Sequence, residues 1–282
     1  MFLIEADGKR IVHTGDFRDH GYLGKGLIPT IKQYILSSGK IDFLITEGTM
    51  LSRLEEKVRH EYQLQLEVIE ILKQYKNVFV LGSSTDIDRL ATFHAAKKEV
   101  DRRPFTCDHY QKEILHVFSE TAGKESRLYQ FEKPIVYRIR NIKLLNWIKD
   151  KGVLMLVRAN ASFIKNIDFL MNHLDQKDTI LIYSLWQGYI NQDTKHLNQK
   201  HLDIIQKFDN VKLIHTSGHA SAECLAKVCN LINPTTGIIP IHSENSFQYQ
   251  HLPIKESLKN KIITTSTEIE DITITINQKS NL

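Results

Sequence analysis

The sequence predicts an α/β fold built on a mainly parallel sheet, and three observations carry that expectation. Apolar runs of strand length (NVFVLG, GVLMLVR, DTILIYS) are too continuous for strands with one wet face. Amphipathic helical segments alternate with them in the βα manner. Polar loops follow several strand-like runs, at HTGD, GSST, SGHAS and PIHSE. Such strand-end loops are where α/β proteins carry chemistry, because the sheet fixes them while water still reaches them.

Taken in order, FLIEA and KRIVHTG read as two strands joined at Asp7-Gly8 by a type I′ turn. A hairpin has too little core to stand alone, so it should add to a larger sheet. A helix over about 27–37 and the strand IDFLIT, ending at Glu47, come next. From Arg53 to Tyr75 the apolar positions Val58, Tyr62, Leu66, Ile69 and Leu72 keep a helical period. NVFVLG begins a run of strand–helix units: SSTDIDRLATFHAAKK, the short strand PFTCD, and the helices DHYQKEILHVFSE and RNIKLLNWIKD. GVLMLVR, ASFIKNIDFLMNHL and DTILIYS complete the run. A helix over about 195–208 leads to the strand-like VKLIHT. The loop SGHAS, the helix ECLAKVCNLIN, the strand GIIPI and an alternating tail, DITITI, end the chain.

At 282 residues, with 41% hydrophobic and 25% charged, the chain suits a soluble protein of one large or two smaller lobes. The net charge of +4 allows a polyanionic partner without being a nucleic-acid signature. Cys107, Cys224 and Cys229 follow no zinc-ribbon spacing, so free core thiols in a reducing, cytoplasmic setting are expected. No apolar run reaches membrane-spanning length. GSSTDIDR is neither a P-loop nor a dinucleotide fingerprint.

The polar candidates each have a plain reading. Asp16, beside glycines, could be a turn former, and Glu47 an ordinary strand-end carboxylate. His219 and His242 could be loop histidines, and Ser83, Ser84 and Thr85 a helix N-cap cluster. Ser221 is a natural N-cap, with Glu223 in the first turn of its helix. Its exposed N–H groups would favour a phosphate beside His219. Trp186 and Tyr189 could stack a base or simply pack. Arg102-Arg103, Arg138, Arg140 and Arg158 could line a phosphate channel or be scattered surface charge.

Together, Asp16 in HTGDF, Glu47 in TEGT, His219 in SGHAS and His242 in PIHSE resemble the metallo-β-lactamase-fold β-CASP family, most closely its RNase J-like members. The resemblance implies a partial αββα sandwich with an inserted β-CASP-like domain of parallel βα units. The hydrolase domain would be 1–52 and 187–282, and the insertion 53–186. It implies RNA as partner and two zinc ions, with Asp16 and His242 as metal ligands. His219 would be the general acid, oriented by Glu47. Ser83, Ser84, Thr85, Ser184 and Ser221 would contact substrate phosphate. His13, His215 and Glu244 would support the ligands.

The family's HxHxDH segment is not found: none of the 13 histidines is separated from another by one residue. Two family ligands fall short of the three a catalytic zinc needs. The expectation is therefore weak zinc binding and no hydrolysis by this polypeptide alone. The missing ligands would sit on a complementary polypeptide, or the chain would be an RNA- or partner-binding remnant. A small-molecule metallo-hydrolase is the other alternative. An unpaired hairpin face and His242 strand should leave an apolar surface, and with it a homodimer.

Overall fold

The computed structural model describes residues 1–53, 56–100 and 103–264. In chain order the strands are β1 (Phe2–Ala6), β2 (Lys9–His13), β3 (Phe43–Glu47), β4 (Asn77–Gly82), β5 (Phe105–Cys107), β6 (Ile135–Val136), β7 (Val153–Val157), β8 (Thr179–Ser184), β9 (Val211–Leu213) and β10 (Gly237–Ile241). The helices used below are α1 (Leu27–Thr30), α2 (Glu61–Gln74), α3 (Ile87–Val100), α4 (His109–Glu120), α5 (Ala122–Glu125), α6 (Ile142–Lys151), α7 (Ala161–Met171), α8 (Gln199–Ile205) and α9 (Ala222–Ile232). The chain divides into two compact units, Met1–Val58 with Ser217–Leu282, and Arg59–Thr216.

The first unit holds a four-stranded sheet, β1-β2-β3-β10. Asp7 and Gly8 have φ of 48° and 71°, the left-handed pair that a type I′ turn requires. The hairpin is antiparallel, while β2, β3 and β10 run parallel. One register row, Leu3–Val12–Leu44–Ile238, lies in a single core with Ile31, Ile35 and the buried face of α9. The opposite face is less covered, with Phe2 68% and Ile4 42% exposed. β10 does not share that exposure: Ile238 and Ile239 are buried, and Ile238 bridges Ile262. The expected helix over 27–37 is α1 continued by a π-helical turn to Leu36. The tail DITITI lies outside the described residues.

The second unit is a six-stranded sheet, β6-β5-β7-β4-β8-β9, in which every pair is parallel. β4, β7 and β8 are apolar on both faces because two cores flank them. α2, α3 and α4 cover one face, and α6, α7 and α8 the other. The boundary expected at 186/187 falls inside this unit, since β9 extends the sheet beside β8.

The helix read over Arg53–Tyr75 is narrower and turned. It starts at Glu61, leaves Tyr62 60% and Leu66 46% exposed, and buries Glu61, Leu64, Val68 and Leu72. Ile69 and Leu72 of the expected stripe are buried on that same face, where Glu61 meets Arg89 at 2.9 Å. The helix expected over 195–208 is shorter, Gln199–Ile205, with the Asn198 side chain as its N-cap.

Candidate metal and phosphate site

In the first unit three parallel strands end on one edge of the sheet, and each delivers a polar side chain there. Asp16 stands in the loop after β2, reached through Gly15 at φ 58°. Glu47 is the last residue of β3 and pairs in register with Ile241, so His242 is the next residue beyond the end of β10. His242 itself adopts φ 48°, a conformation uncommon outside glycine and a form of strain that clusters at functional positions. His219 comes from the turn leading into α9. One ligand-type atom from each of Asp16, Glu47, His219 and His242 lies within 4.8 Å of those of the other three.

Glu47 and His219 form a closed pair. The Glu47 side chain is fully buried, its Oε1 accepting the backbone N–H of Phe17 (3.1 Å) and of Ala220 (3.1 Å). Its Oε2 lies 2.9 Å from His219 Nδ1. Burial pushes the Glu47 carboxyl up. The His219 hydrogen bond and charge, with the two backbone donors, outweigh that and hold it below the ordinary carboxylate value. For His219 the Glu47 hydrogen bond is the largest influence and raises the imidazole. Burial opposes it, the charges of Glu47 and Asp16 add to it, and the net shift is upward. Nδ1–H donation to Glu47 leaves Nε2 as the nitrogen free for proton transfer.

Neighbours hold this pair in place. The Tyr249 hydroxyl donates to the carbonyls of Thr46 and Glu47. A Cβ on Gly48 would lie 2.7 Å from the Tyr249 ring, so glycine is what lets that ring approach. His20 is buried, and its Nε2 lies 2.7 Å from the Ser217 carbonyl, anchoring the SGHAS turn. Ser217 Oγ accepts from His219 N at 3.1 Å.

Asp16 and His242 form an open pair. His242 Nδ1 lies 3.1 Å from Asp16 Oδ1, and their side chains are 55% and 57% exposed. The two imidazoles meet edge to face at 5.1 Å. As a donor set for a divalent ion the four residues fit in part. Both Glu47 oxygens and His219 Nδ1 are engaged, whereas Asp16 and His242 present donors to solvent.

One of the sequence-predicted supporting residues gives way here to another. Thr49, not Glu244, sits at His242 Nδ1 (3.2 Å) and also donates to the His242 carbonyl (3.1 Å). Glu244 is exposed in the loop beyond. His13 Nδ1 accepts the Gly15 N–H at 3.0 Å and so shapes the turn that carries Asp16. Ser221 caps α9, its Oγ accepting from Cys224 N at 3.2 Å.

The phosphate candidates of the second unit occupy the ends of β4 and β8, where Gly82 pairs with Ser184. The loop leaving β4 enters α3 on one face of the sheet and that leaving β8 leads to α8 on the other, the kind of switch point at which α/β folds place ligands. Ser83 Oγ accepts from Thr85 N (3.3 Å), Ser84 is half-buried, and Asp86 rather than this cluster bonds the α3 backbone at Arg89 N (3.1 Å). Ser184 is buried, its Oγ accepting from Arg89 Nη1 at 2.6 Å. His215 Nδ1 lies 3.5 Å from the same guanidinium, so it belongs to this unit's network.

Arg103 is no channel residue. It is buried and donates to the carbonyls of Leu72, Tyr75 and Lys76, closing the C-terminal end of α2. Arg158 pairs with Asp108 at 3.3 Å and lies over the Tyr110 ring, while Arg138 and Arg140 are exposed. Arg102 lies outside the described residues. Trp186 and Tyr189 pack edge to face at 5.4 Å.

Thr49, His20, Tyr249 and Arg89 escaped the sequence reading. Thr49 alone had a signal, since it sits two residues past Glu47 in TEGT.

No family model matches the chain. It is 26% identical over 183 residues to a protein named Endoribonuclease YSH1 from Mycosarcoma maydis, an alignment covering 59% of this chain and 20% of that one. The chain thus spans about a fifth of that relative's length. The likeness supports the broad family resemblance carried by HTGD, TEGT, SGHAS and PIHSE, and with the four-residue cluster it points to use of a metal. Among the described residues no helix is long and apolar enough to cross a membrane.

Proposed function

We propose that this chain is an RNase J-like member of the metallo-β-lactamase β-CASP branch, acting on RNA phosphodiesters as part of a metal-dependent hydrolase. The observation that carries the reading is the closed Glu47–His219 pair standing beside the open Asp16–His242 pair at the ends of adjacent parallel strands. In this reading the first unit is the hydrolase domain and the second the β-CASP-like insertion.

Asp16 and His242 would hold zinc, and a zinc ion, when bound, supplies an acidified water and charge stabilisation at phosphorus. Glu47 fixes the ring of His219 and keeps a proton on Nδ1, so that Nε2 can hand a proton to the leaving oxygen. Ser221 at the start of α9, and Ser83, Ser84 and Thr85 before α3, offer hydroxyls for phosphate. Ser184 would act through the Arg89 network.

Two open donors are fewer than a catalytic zinc needs, so further ligands would come from outside this set, on a complementary polypeptide. The three cysteines are buried and unpaired, with thiols pushed up to about 12 by burial, which suits a reducing cytoplasm. The same shortage of donors favours one second reading, an RNA-binding module without hydrolysis of its own.

The test is binding and turnover of 5′-phosphorylated single-stranded RNA beside a small ester, each with added zinc. Salt-dependent RNA retention without cleavage by the chain alone is the expected result. Turnover of the ester with no affinity for RNA would overturn the proposal.

A further inference from the structure

We infer that the second unit carries a separate site for a nucleoside phosphate, in the cleft where Trp147 meets Lys98 and Lys133. The cleft, of about 370 Å³, opens beside the starts of β5 and β6, at the sheet edge opposite to the one bearing Gly82 and Ser184. That volume falls in the range of small-ligand pockets. Four cations line it against one carboxylate, Glu132, among the described residues.

Two of those cations are already used. Lys97 Nζ lies 2.5 Å from Glu132, and the Arg103 guanidinium is turned onto the backbone carbonyls that end α2. Lys98 and Lys133 are exposed, so their ammonium groups are the ones available to an anion. Trp147 is likewise surplus to the fold. α6 fills its core with Leu144, Leu145 and Ile148 and leaves the indole 44% exposed at the cleft.

An exposed indole and two exposed lysines lining one cleft match a base with its phosphate, the combination that stacking platforms for nucleic acid use. An inorganic anion would leave the indole unused, and an acidic peptide offers no ring to stack. The inference is independent of the metal cluster, because every lining residue belongs to the unit Arg59–Thr216.

The full chain carrying Trp186→Phe has Trp147 as its sole tryptophan, since the sequence holds two. Its emission is titrated with adenosine 5′-monophosphate, a short 5′-phosphorylated oligoadenylate, orthophosphate and an acidic peptide. Saturable quenching by the mononucleotide, weakened about tenfold or more in K98A/K133A at unchanged circular dichroism, is expected. Quenching by the oligomer alone, with the same loss, identifies the ligand as one residue of a strand rather than a free nucleotide. No saturable response to either, equal affinity in K98A/K133A, or equal competition by orthophosphate or the acidic peptide would overturn the site. Should Trp186→Phe disturb the fold, anisotropy of the labelled oligomer with wild type and K98E/K133E gives the same reading.

Discussion

Each unit pairs a buried carboxylate with a basic side chain near the ends of parallel strands, and the two pairs are finished differently. In the second unit Glu61 accepts from Arg89 Nε and Nη2 and from Thr92, while Arg89 also reaches Ser184 and the Thr216 carbonyl. Both side chains are almost wholly buried, at 0% and 2% exposure. In the first unit Glu47 is as deeply buried and as fully bonded, yet the histidine it holds stands beside two exposed donors, Asp16 and His242. A cluster whose donors and acceptors are satisfied internally serves the fold. One that leaves donors facing water next to a fixed imidazole is a candidate ligand site.

Substitutions can break that contrast, and the largest effect should come from the closed network. Arg89→Leu leaves Glu61 buried without its cation and should cost about 3–5 kcal/mol in urea unfolding. Replacing both residues by apolar ones should recover much of the loss. A cost below about 1 kcal/mol for Arg89→Leu would place the pair nearer the surface behaviour of exposed ion pairs.

The next effect is set by pH in the same unit. His94 is buried, its Nε2 accepts the Glu132 N–H at 3.0 Å, and burial followed by the charges of Lys98 and Lys97 lowers its pKa from 6.5 to about 4. The unfolded chain therefore takes up this proton first. The contribution is full above pH 6.5, erodes as pH falls, and is gone below about pH 4. It amounts to about 3 kcal/mol. Unfolding measured across that window should show the slope in wild type and lose most of it in His94→Gln.

In the first unit, Glu47→Gln should cost about 1–3 kcal/mol, because one strong acceptor of a buried cluster is lost. It should also bring the His219 imidazole down from its raised value, a change that nuclear magnetic resonance of the ring reads directly. The smallest effect belongs to the open pair. Asp16→Asn and His242→Ala should each change unfolding by no more than about 0.5 kcal/mol, since side chains more than half exposed hold little of the fold.

The sequence made the sheet of the second unit legible because its strands are buried on both faces and read as continuous apolar runs. Asp7-Gly8 made the hairpin legible through turn chemistry alone. Asp16, Glu47, His219 and His242 each read as an ordinary strand-end or loop residue by local pattern, and it is the family resemblance that joins them into one set. The face of α2 is legible in part: Ile69 and Leu72 are buried as their period suggests, while Leu64 and Val68 take the core positions that Tyr62 and Leu66 leave. Arg103 looked like a surface charge because closing the end of another helix is a long-range contact with no local pattern. β9 is legible as the strand-like VKLIHT, but its place beside β8 is not, as its three residues are exposed and only the pairing marks them as part of that sheet. Thr49 rather than Glu244 stands at His242 Nδ1, a long-range contact that no local pattern announces.

Zinc calorimetry on the wild-type chain, Asp16→Asn, His242→Ala and Glu47→Gln tests the division into open and closed pairs most directly. The expected result is weak binding in wild type, too loose to survive gel filtration, abolished by either open-pair substitution and retained in Glu47→Gln. Tight stoichiometric zinc that depends on Glu47 as much as on His242 would contradict it, because the buried carboxylate would then be a ligand and not the group that holds His219.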